Sequence, residues 1–184
     1  MSVARPALAD TLSALIADVP DFPKPGVVFK DITPLLADAD GLRRAVEGLA
    51  ALAPAGGVDM VVGMEARGFI LGAPVALALG AGFVPVRKPG KLPRPSLSAT
   101  FALEYGTDEL VMHRDALAPG MRVLVVDDVL ATGGTVSATA ELVRSLGADL
   151  VGVAVLLELA FLGARARLAT QGLERIDSLL TIDA

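Results

Sequence analysis

The chain has 184 residues, of which 53% are hydrophobic and 20% are charged, so it can fold around a sizeable core. Its net charge of -5 argues against a general nucleic-acid binder, because affinity for a phosphate backbone comes from clustered Lys and Arg. The absence of cysteine excludes disulfides, thiolate metal sites and a cysteine nucleophile, and it fits a reducing compartment such as the cytoplasm.

The N-terminal region differs in pattern from the rest of the chain. A helix is predicted over residues 11–17, and the following residues 20–26 are too rich in proline for regular structure. We interpret residues 1–35 as a small hood or lid appended to a core of residues 36–184. No linker divides the sequence, so we predict a single domain.

The core alternates short apolar runs with helical patterns. The apolar runs are hydrophobic on both faces, as expected for strands covered by helices above and below. Strands separated by helices pair in parallel through right-handed crossovers, so the sequence predicts an α/β fold with a central, mostly parallel sheet flanked by helices. The predicted strands are 58–64, 82–86, 122–126 and 150–157, and the predicted helices are 40–53, 67–79 and 135–146, the last of them stopped by Gly147.

Residues 68–86 carry no charge and are nearly long enough to span a bilayer. The run contains four glycines and two prolines and changes character midway. A buried helix, a turn and a short strand explain it better than a membrane span. We therefore expect no membrane association.

A long connection covers residues 88–114. It begins with the basic, proline-rich sequence KPGKLPRPSLSAT and continues as FALEYGTDELVMH, which could form a hairpin. A connection of this length inside a domain is more often functional than idle. The single histidine, His113, lies between probable strand positions, and we interpret it as a structural or surface residue.

Residues 123–135 read VLVVDDVLATGGT and place two adjacent carboxylates after an apolar strand. In an open parallel sheet, ligands bind at the carboxyl ends of the strands, so Asp127 and Asp128 are expected where a strand ends and a ligand binds. Carboxylates repel phosphate, but they accept hydrogen bonds from hydroxyls and bind cations that accompany phosphate. We expect them to hold the vicinal hydroxyls of a ribose.

The loop after the acidic pair suits a monophosphate. It leads into a helix whose first N–H groups lack intrahelical partners, and these groups and the helix dipole attract an anion. Glycines permit close approach of the backbone, and threonines add hydroxyl donors. The alternative is a plain cap and turn, which many α/β domains contain; the loop is neither a Walker loop nor G-x-G-x-x-G. The loop residues are Ala131, Thr132, Gly133, Gly134 and Thr135.

The same thirteen residues resemble the signature of type I phosphoribosyltransferases, which bind 5-phosphoribosyl 1-diphosphate. Further segments resemble, in the expected order, the members of this family that act on adenine. The resemblance implies the type I fold with a flexible catalytic loop, and transfer of the phosphoribosyl group to adenine, giving AMP and pyrophosphate in purine salvage. It extends over residues 20–168 and includes PDFPKPGVVFKDITPLL, GMEARGF, VRKPGKLP, LEYG and LLELAFLGAR.

The resemblance also implies how the diphosphate is held. Arg67 becomes a diphosphate contact, and so does the densest basic cluster of the chain, formed by Arg87, Lys88 and Lys91. In isolation such a cluster is usually a solvated surface. Mg²⁺ is implied as a cofactor that is bound mainly by the substrate's own oxygens. A homodimer is implied as well, since in related enzymes part of this loop reaches a neighbouring subunit; Pro89 stands where some relatives have a basic residue.

Glu104 and Tyr105, in the sequence LEYG, match the mobile catalytic loop of the family. Without the resemblance, a Glu-Tyr pair would be an ordinary loop or strand feature. With it, Glu104 is implied to handle a proton of the purine as N9 attacks. Tyr105 is implied to shield the reacting carbon from water.

The adenine site is implied within residues 27–31, VVFKD. Phe29 can stack on the purine, and backbone groups of Val28 and Lys30 can accept from N6 and donate to N1. A 6-oxopurine presents the reverse pattern at these atoms and would leave buried groups unpaired. Leu159 is a candidate for the opposite wall, although Phe29 and Leu159 could also be plain core residues.

Two other functions stay open at this point. A regulator could keep the fold and sense phosphoribosyl diphosphate without catalysis, but the retained Glu104-Tyr105 pair and the lack of a basic N-terminal segment argue against it. The same chemistry could also act on hypoxanthine, guanine, xanthine or orotate, against which residues 27–31 favour adenine.

Overall fold

The computed structural model describes residues 5–102 and 107–183. Helices and strands alternate through most of these residues, and a short 3₁₀ helix at Ala160–Leu162 follows the longest strand. In chain order the elements are α1 (Arg5–Ser13), β1 (Ala17–Pro20), β2 (Val28–Asp31), α2 (Thr33–Ala37), α3 (Ala39–Ala51), β3 (Met60–Met64), α4 (Arg67–Leu79), β4 (Gly82–Val86), β5 (Ser96–Ala102), β6 (Thr107–His113), β7 (Arg122–Leu130), α5 (Gly134–Ser145), β8 (Asp149–Leu159), α6 (Ala164–Ala169) and β9 (Ile176–Ile182).

Within these ranges, five strands form a parallel sheet in the order β4-β3-β7-β8-β9. Its central strands are buried on both faces, as their continuous apolar runs predict. The prediction of an α/β fold with a central parallel sheet flanked by helices is therefore confirmed. From β3 the chain adds β4 on one side of the sheet, and from β7 it adds β8 and β9 on the other side. The strand order therefore reverses between β3 and β7, and a ligand site is expected at the carboxyl ends of these two strands.

Two clusters of apolar side chains hold the helices against the sheet. On one face, α5 and the β5–β6 hairpin bury residues such as Leu142 and Met112. On the other face, α1, α3 and α4 bury Leu12, Leu49 and Leu71. Full burial of each such side chain contributes about 1.5–3 kcal/mol, so these layers fix where each strand end and helix start lies.

The central strand β7 is longer than predicted. A strand ending at residue 126, with the acidic pair beyond it, is wrong: Asp127 and Asp128 lie inside β7, which runs to Leu130. The ladder between β3 and β7 ends at Val126, whereas the ladder between β7 and β8 continues to Leu130 and Glu158. Beyond Val126, β7 is therefore paired on its β8 side alone, and its β3 side opens towards a cavity.

The N-terminal prediction needs a similar correction. The helix lies at Arg5–Ser13 instead of residues 11–17, and β1 begins at Ala17 and pairs antiparallel with β2. The side chains of Asp18 and Lys30 face each other across this pair, with Lys30 Nζ 2.6 Å from Asp18 Oδ1. A cross-strand pair of this kind cannot be read from local helical periodicity. Residues 17–20, which the sequence placed at the end of a helix and in a proline-rich segment, are instead extended as β1.

Several other predictions agree with the structure, but β1, β2, α2, α6 and β9 were not predicted. The charge-free run folds as α4 and β4 with their predicted bounds, joined through Gly80 in the left-handed region (φ 67°). None of the helices in the described ranges has the length and apolar character that crossing a membrane requires. The expected hairpin is present as the antiparallel pair β5–β6, but its first strand, Ser96–Ala102, begins before the predicted segment 101–113. The edge strand β9, in the segment where the resemblance ends, was not predicted.

The packing of β3 against α4 allows a test. A Cβ at Gly63 would lie 2.6 Å from the backbone oxygen of Gly68 and 2.9 Å from Phe83 Cε2. Because a backbone atom cannot move aside cheaply, Gly63→Ala should lower the free energy of unfolding by about 1–3 kcal/mol. Thermal melting should show a decrease in Tm of roughly 2–4 °C per kcal/mol.

The matched control for this substitution is Gly152→Ala. Gly152 lies in β8, and a Cβ there would meet its nearest neighbours at 3.5 Å, an ordinary contact. Its Tm should stay close to that of the unmodified protein. Equal melting temperatures for the two variants would contradict the close approach of β3 and α4.

Candidate functional site

A cavity of about 610 Å³ lies at the carboxyl ends of β3 and β7, beneath β2 and beside the β5–β6 hairpin. This is the position that an open parallel sheet provides for a ligand. Ten residues that the sequence singled out line this cavity: Val28, Phe29, Lys30, Arg67, Lys88, Asp127, Asp128, Ala131, Thr135 and Leu159.

The acidic pair forms the floor of the cavity. Both carboxylates are buried, and the backbone N–H of Asp128 donates to Asp127 Oδ1 over 3.0 Å. Burial first, and the adjacent charge of Asp128 second, raise the pKa of Asp127 well above that of an ordinary aspartate. Negative charge on the acidic pair is therefore unfavourable, and a hydroxyl donor or a cation bound at this site would stabilise it.

Arg67 contacts both the acidic pair and the β2 side of the cavity. It is the first residue of α4, and its Nε lies 2.5 Å from Asp128 Oδ2. Within the described residues that oxygen is buried and has no hydrogen bond of good geometry, so charge attraction is what holds Arg67 beside Asp128. The guanidinium carbon of Arg67 also lies 5.3 Å from the ring centroid of Phe29, at cation–π distance.

The short distance between α4 and β7 depends on Gly68. A Cβ there would lie 2.8 Å from Asp127 Oδ1 and 3.2 Å from the oxygen of Val126. Any larger residue would move the start of α4 away from the strand, and Arg67 with it. The GMEARGF segment thus has a packing reason for its second glycine.

The loop after β7 opens directly into α5. Its N-cap residue, Gly133, adopts φ 82°, and no side chain in the described part of the chain caps the helix start. The first N–H groups of α5 are therefore available to an anion, as the sequence predicts. Ala131 and Thr135 reach the cavity lining, while Thr132, Gly133 and Gly134 lie outside it along the same turn.

The basic cluster is only partly brought into the cavity. Lys88 lines it, with Nζ 3.0 Å from Asp108 Oδ2 on β6. Arg87 and Lys91 lie outside the lining: Arg87 Nε donates to Glu65 Oε2 over 2.9 Å, and its Nη1 donates to the carbonyl of Lys91 over 3.2 Å. Arg87 therefore reaches the cavity only indirectly, through its hydrogen bond to Glu65, which is a lining residue.

The side of the cavity under β2 is apolar. Val28 is half exposed although it is apolar, and the ring of Phe29 packs edge-on against Phe22 at 5.2 Å between centroids. Leu159, the last residue of β8, contributes a further apolar wall. A flat aromatic ligand would fit such surfaces, with the β2 backbone as its polar edge.

Several lining residues were missed by sequence reasoning. Glu65 follows the end of β3, so the strand-end rule that selected the acidic pair would also have selected it. Phe101 and Asp108 lie on the two strands of the hairpin, and nothing local marks them. Glu104 and Tyr105 lie outside the described residues, between the strands that carry Phe101 and Asp108. The other missed residues are Met64, Ala66, Leu110 and Val129, whereas Val27 belongs to the predicted segment 27–31.

An acidic pair inside β7, an amide-lined turn and a cavity lined by basic and apolar residues together fit an enzyme that transfers a phosphoribosyl group. The chain belongs to the phosphoribosyltransferase family, because the model of the phosphoribosyl transferase domain matches residues 34–177. It is 59% identical over 173 residues to the adenine phosphoribosyltransferase of Cutibacterium acnes, covering 94% of this chain and 97% of that protein. It is 58% identical over 181 residues to that of Myxococcus xanthus, covering 96% and 97%.

Solved structures of the same enzyme are similar. The adenine phosphoribosyltransferase of Thermoanaerobacter pseudethanolicus superposes with a TM-score of 0.90 at 49% identity, covering 95% of this chain and 99% of that one. The enzyme of Saccharomyces cerevisiae, solved with an imino-altritol bisphosphate and adenine, superposes with a TM-score of 0.88 at 37% identity, covering 95% and 99%.

The buried acidic pair predicts a pH-dependent effect on stability. Because the pKa of Asp127 is raised in the folded state, the folded protein binds more protons than the unfolded chain above about pH 4, and stability falls as the pH rises through the folded pKa. Asp127→Asn removes this loss and keeps the oxygen that accepts from Asp128. The variant should be more stable than the unmodified protein at pH 7, with a smaller gain at pH 5.

Urea denaturation at the two pH values measures this difference. Asp149→Asn, at an exposed carboxylate on β8, is the control for loss of one negative charge. If Asp127→Asn destabilised the protein at pH 7, or if both variants responded alike, the interpretation of the acidic pair would be wrong.

Proposed function

We propose that this protein is an adenine phosphoribosyltransferase, which transfers the 5-phosphoribosyl group of 5-phosphoribosyl 1-diphosphate to adenine and releases AMP and pyrophosphate in purine salvage. The observation that carries the proposal is one cavity in which an acidic pair, the turn before α5 and the strand β2 come together. The similarity to adenine phosphoribosyltransferases over nearly the whole chain supports the choice of reaction.

The ribose 5-phosphate is assigned to β7 and the loop after it. Asp127 and Asp128 accept hydrogen bonds from the two ribose hydroxyls, which relieves the buried charge described above. Residues 131–135 bind the 5-phosphate through backbone N–H groups and threonine hydroxyls at the start of α5. Because the acidic pair and the loop at residues 131–135 are close together in the chain, the distance between the ribose site and the phosphate site is set mainly by covalent geometry.

The diphosphate is assigned to Arg67 and Lys88, with Arg87 and Lys91 as nearby basic residues at the edge of the site. Carboxylates suit a hard cation, and Asp127 and Asp128 line the cavity, so the acidic pair fits Mg²⁺ that is held mainly by the substrate diphosphate. Mg²⁺ would neutralise the charge that develops on the leaving group. The arginine and lysine side chains hold the same oxygens in place and orient the leaving group.

Adenine is assigned to the space under β2. Phe29 stacks on the purine, Leu159 forms the other wall, and the backbone of Val28 and Lys30 pairs with N6 and N1. In this proposal residues 1–35 act as a hood over the base, and the rest of the single domain supplies the sugar and phosphate sites. The exposed Val28 would be covered when the base binds.

In the reaction, the bond between C1 and the diphosphate oxygen breaks while N9 of adenine forms the new bond to C1. The ring gains positive charge in between, so positioning and electrostatic stabilisation supply most of the acceleration. We assign Glu104 to the proton on the purine and Tyr105 to the exclusion of water from C1. Phe101 and Asp108, which flank them in the sequence, line the cavity and support this assignment.

We also propose that the enzyme is a cytoplasmic homodimer. On α4, Leu77 is 83% exposed and Ile70 is 46% exposed, and their spacing of seven residues places them on one face of the helix. An apolar face of this kind is suited to burial against a second copy. The cysteine-free sequence fits a reducing compartment.

The reaction can be tested by measuring AMP formation from 5-phosphoribosyl 1-diphosphate, MgCl₂ and each purine base in turn. Adenine should be preferred to hypoxanthine and guanine by at least about 10³-fold in kcat/KM, because a 6-oxo group leaves buried β2 groups unpaired. A preference for hypoxanthine would overturn the assignment of the base site. Binding of phosphoribosyl diphosphate without any AMP formation would favour a sensing protein instead.

The role of Glu104 has its own test. Glu104→Gln keeps the shape of the side chain and removes its ability to exchange a proton, so kcat should fall by about 10²- to 10⁴-fold. Steady-state kinetics with both substrates measure the change. Glu109→Gln, on β6 of the same hairpin and outside the cavity lining, is the control and should leave kcat within about twofold. Near-normal turnover of Glu104→Gln would remove the residue from the mechanism.

A further inference from the structure

An ion pair between a buried glutamate and a half-exposed arginine lies outside the cavity lining, next to the lining residue Leu159. Glu158 is 3% exposed, and its carboxylate accepts two parallel hydrogen bonds from Arg165, Nε to Oε1 over 2.7 Å and Nη2 to Oε2 over 2.6 Å. Ser178 Oγ donates to the same carboxylate over 3.1 Å. These hydrogen bonds hold the pKa of Glu158 below its usual value, so the carboxylate stays charged. Neither charged residue has a role in the chemistry assigned above.

The position of Glu158 in the sheet connects it to both ends of the cavity. In the ladder between β7 and β8 it pairs with Leu130, the residue just before the phosphate loop. Its neighbour along β8 is Leu159, the last residue of the strand and part of the base wall. Since successive side chains of a strand point to opposite faces, fixing Glu158 on one face also fixes Leu159 on the other.

Arg165 lies on α6, and its hydrogen bonds connect this helix to the end of β8 and to β9. Its third hydrogen bond runs from Nη1 to the carbonyl of Ile176 on β9 over 2.6 Å. The helix that carries Arg165 also supports the phosphate loop, because a Cβ on Gly133 would lie 3.1 Å from Leu168 Cδ1 and 3.4 Å from Ala164 Cβ. The α6 helix therefore contacts the phosphate loop with its apolar face and holds the base wall with its arginine.

We propose that Arg165 is a positioning residue for the transfer reaction: by holding Glu158, it keeps the base wall at Leu159 and the phosphate loop at Gly133 in one fixed spacing. This inference rests on the proposed function, because it assigns the two ends of the cavity to the two ends of AMP. Arg165 touches neither substrate and acts through Glu158 and α6. Its side chain is 47% exposed, so replacing it need not open a cavity in the core.

The test compares Arg165→Met with Arg165→Lys in steady-state kinetics, with KM measured separately for adenine and for phosphoribosyl diphosphate. Arg165→Met leaves the Glu158 carboxylate without its positively charged partner. KM for both substrates should therefore rise about fivefold or more while kcat changes less than twofold. Arg165→Lys keeps the charge and loses the paired donors, and its KM values should fall between those of Arg165→Met and the unmodified protein.

Arg167→Met is the matched control. Arg167 lies on the same short helix, is exposed, and forms no ion pair with any residue in the described ranges. Its KM values should equal those of the unmodified enzyme.

A merely structural role for Arg165 would lower Tm and the active fraction but leave both KM values unchanged, and that outcome would overturn the inference. If Arg165→Met fails to fold, unchanged KM values in Arg165→Lys would overturn it equally. An unmodified protein that forms no AMP would instead remove the proposed function. The two failures are therefore distinguishable.

Discussion

The unequal length of the two ladders on β7 is the constraint on which the site depends. The ladder with β3 stops at Val126, and the ladder with β8 continues for four residues to Leu130. Asp127 and Asp128 are thus held rigidly from one side and open to a cavity on the other. A fully paired strand would bury the acids without access for a ligand, and a loop would leave them solvated and imprecise.

The remaining groups of the site are arranged around this strand. Gly68 lets the start of α4 approach β7 closely, which brings Arg67 beside Asp128 and within reach of Phe29. The turn into α5 begins at Ala131, three residues after Asp128, and supplies its amide groups. Positive charge, negative charge and backbone dipoles therefore converge on one cavity, where partial burial strengthens each of them. A substrate with a polyanionic leaving group matches this distribution.

The sequence could predict the elements whose signals are local. The helix Arg67–Leu79 and the strand Gly82–Val86 were predicted with their observed bounds, because a glycine-containing turn at residues 80–82 separates two apolar runs. The antiparallel pair β1–β2 was missed because its signal is a contact between Asp18 and Lys30, twelve residues apart. The edge strand β9 was missed because it follows the part of the chain that carries recognisable motifs.

For the site, the sequence by itself determined the acidic pair and the amide-lined turn, which follow from residue types and spacing along one segment, whereas the role of Phe29 was implied by the resemblance. Tertiary structure alone decided which of them share a cavity. It brought Lys88 into the lining and left Arg87 and Lys91 outside, and it added Asp108 from a distant strand. The physical reason is that side-chain direction and strand pairing depend on packing between segments far apart in the chain, which no local pattern encodes.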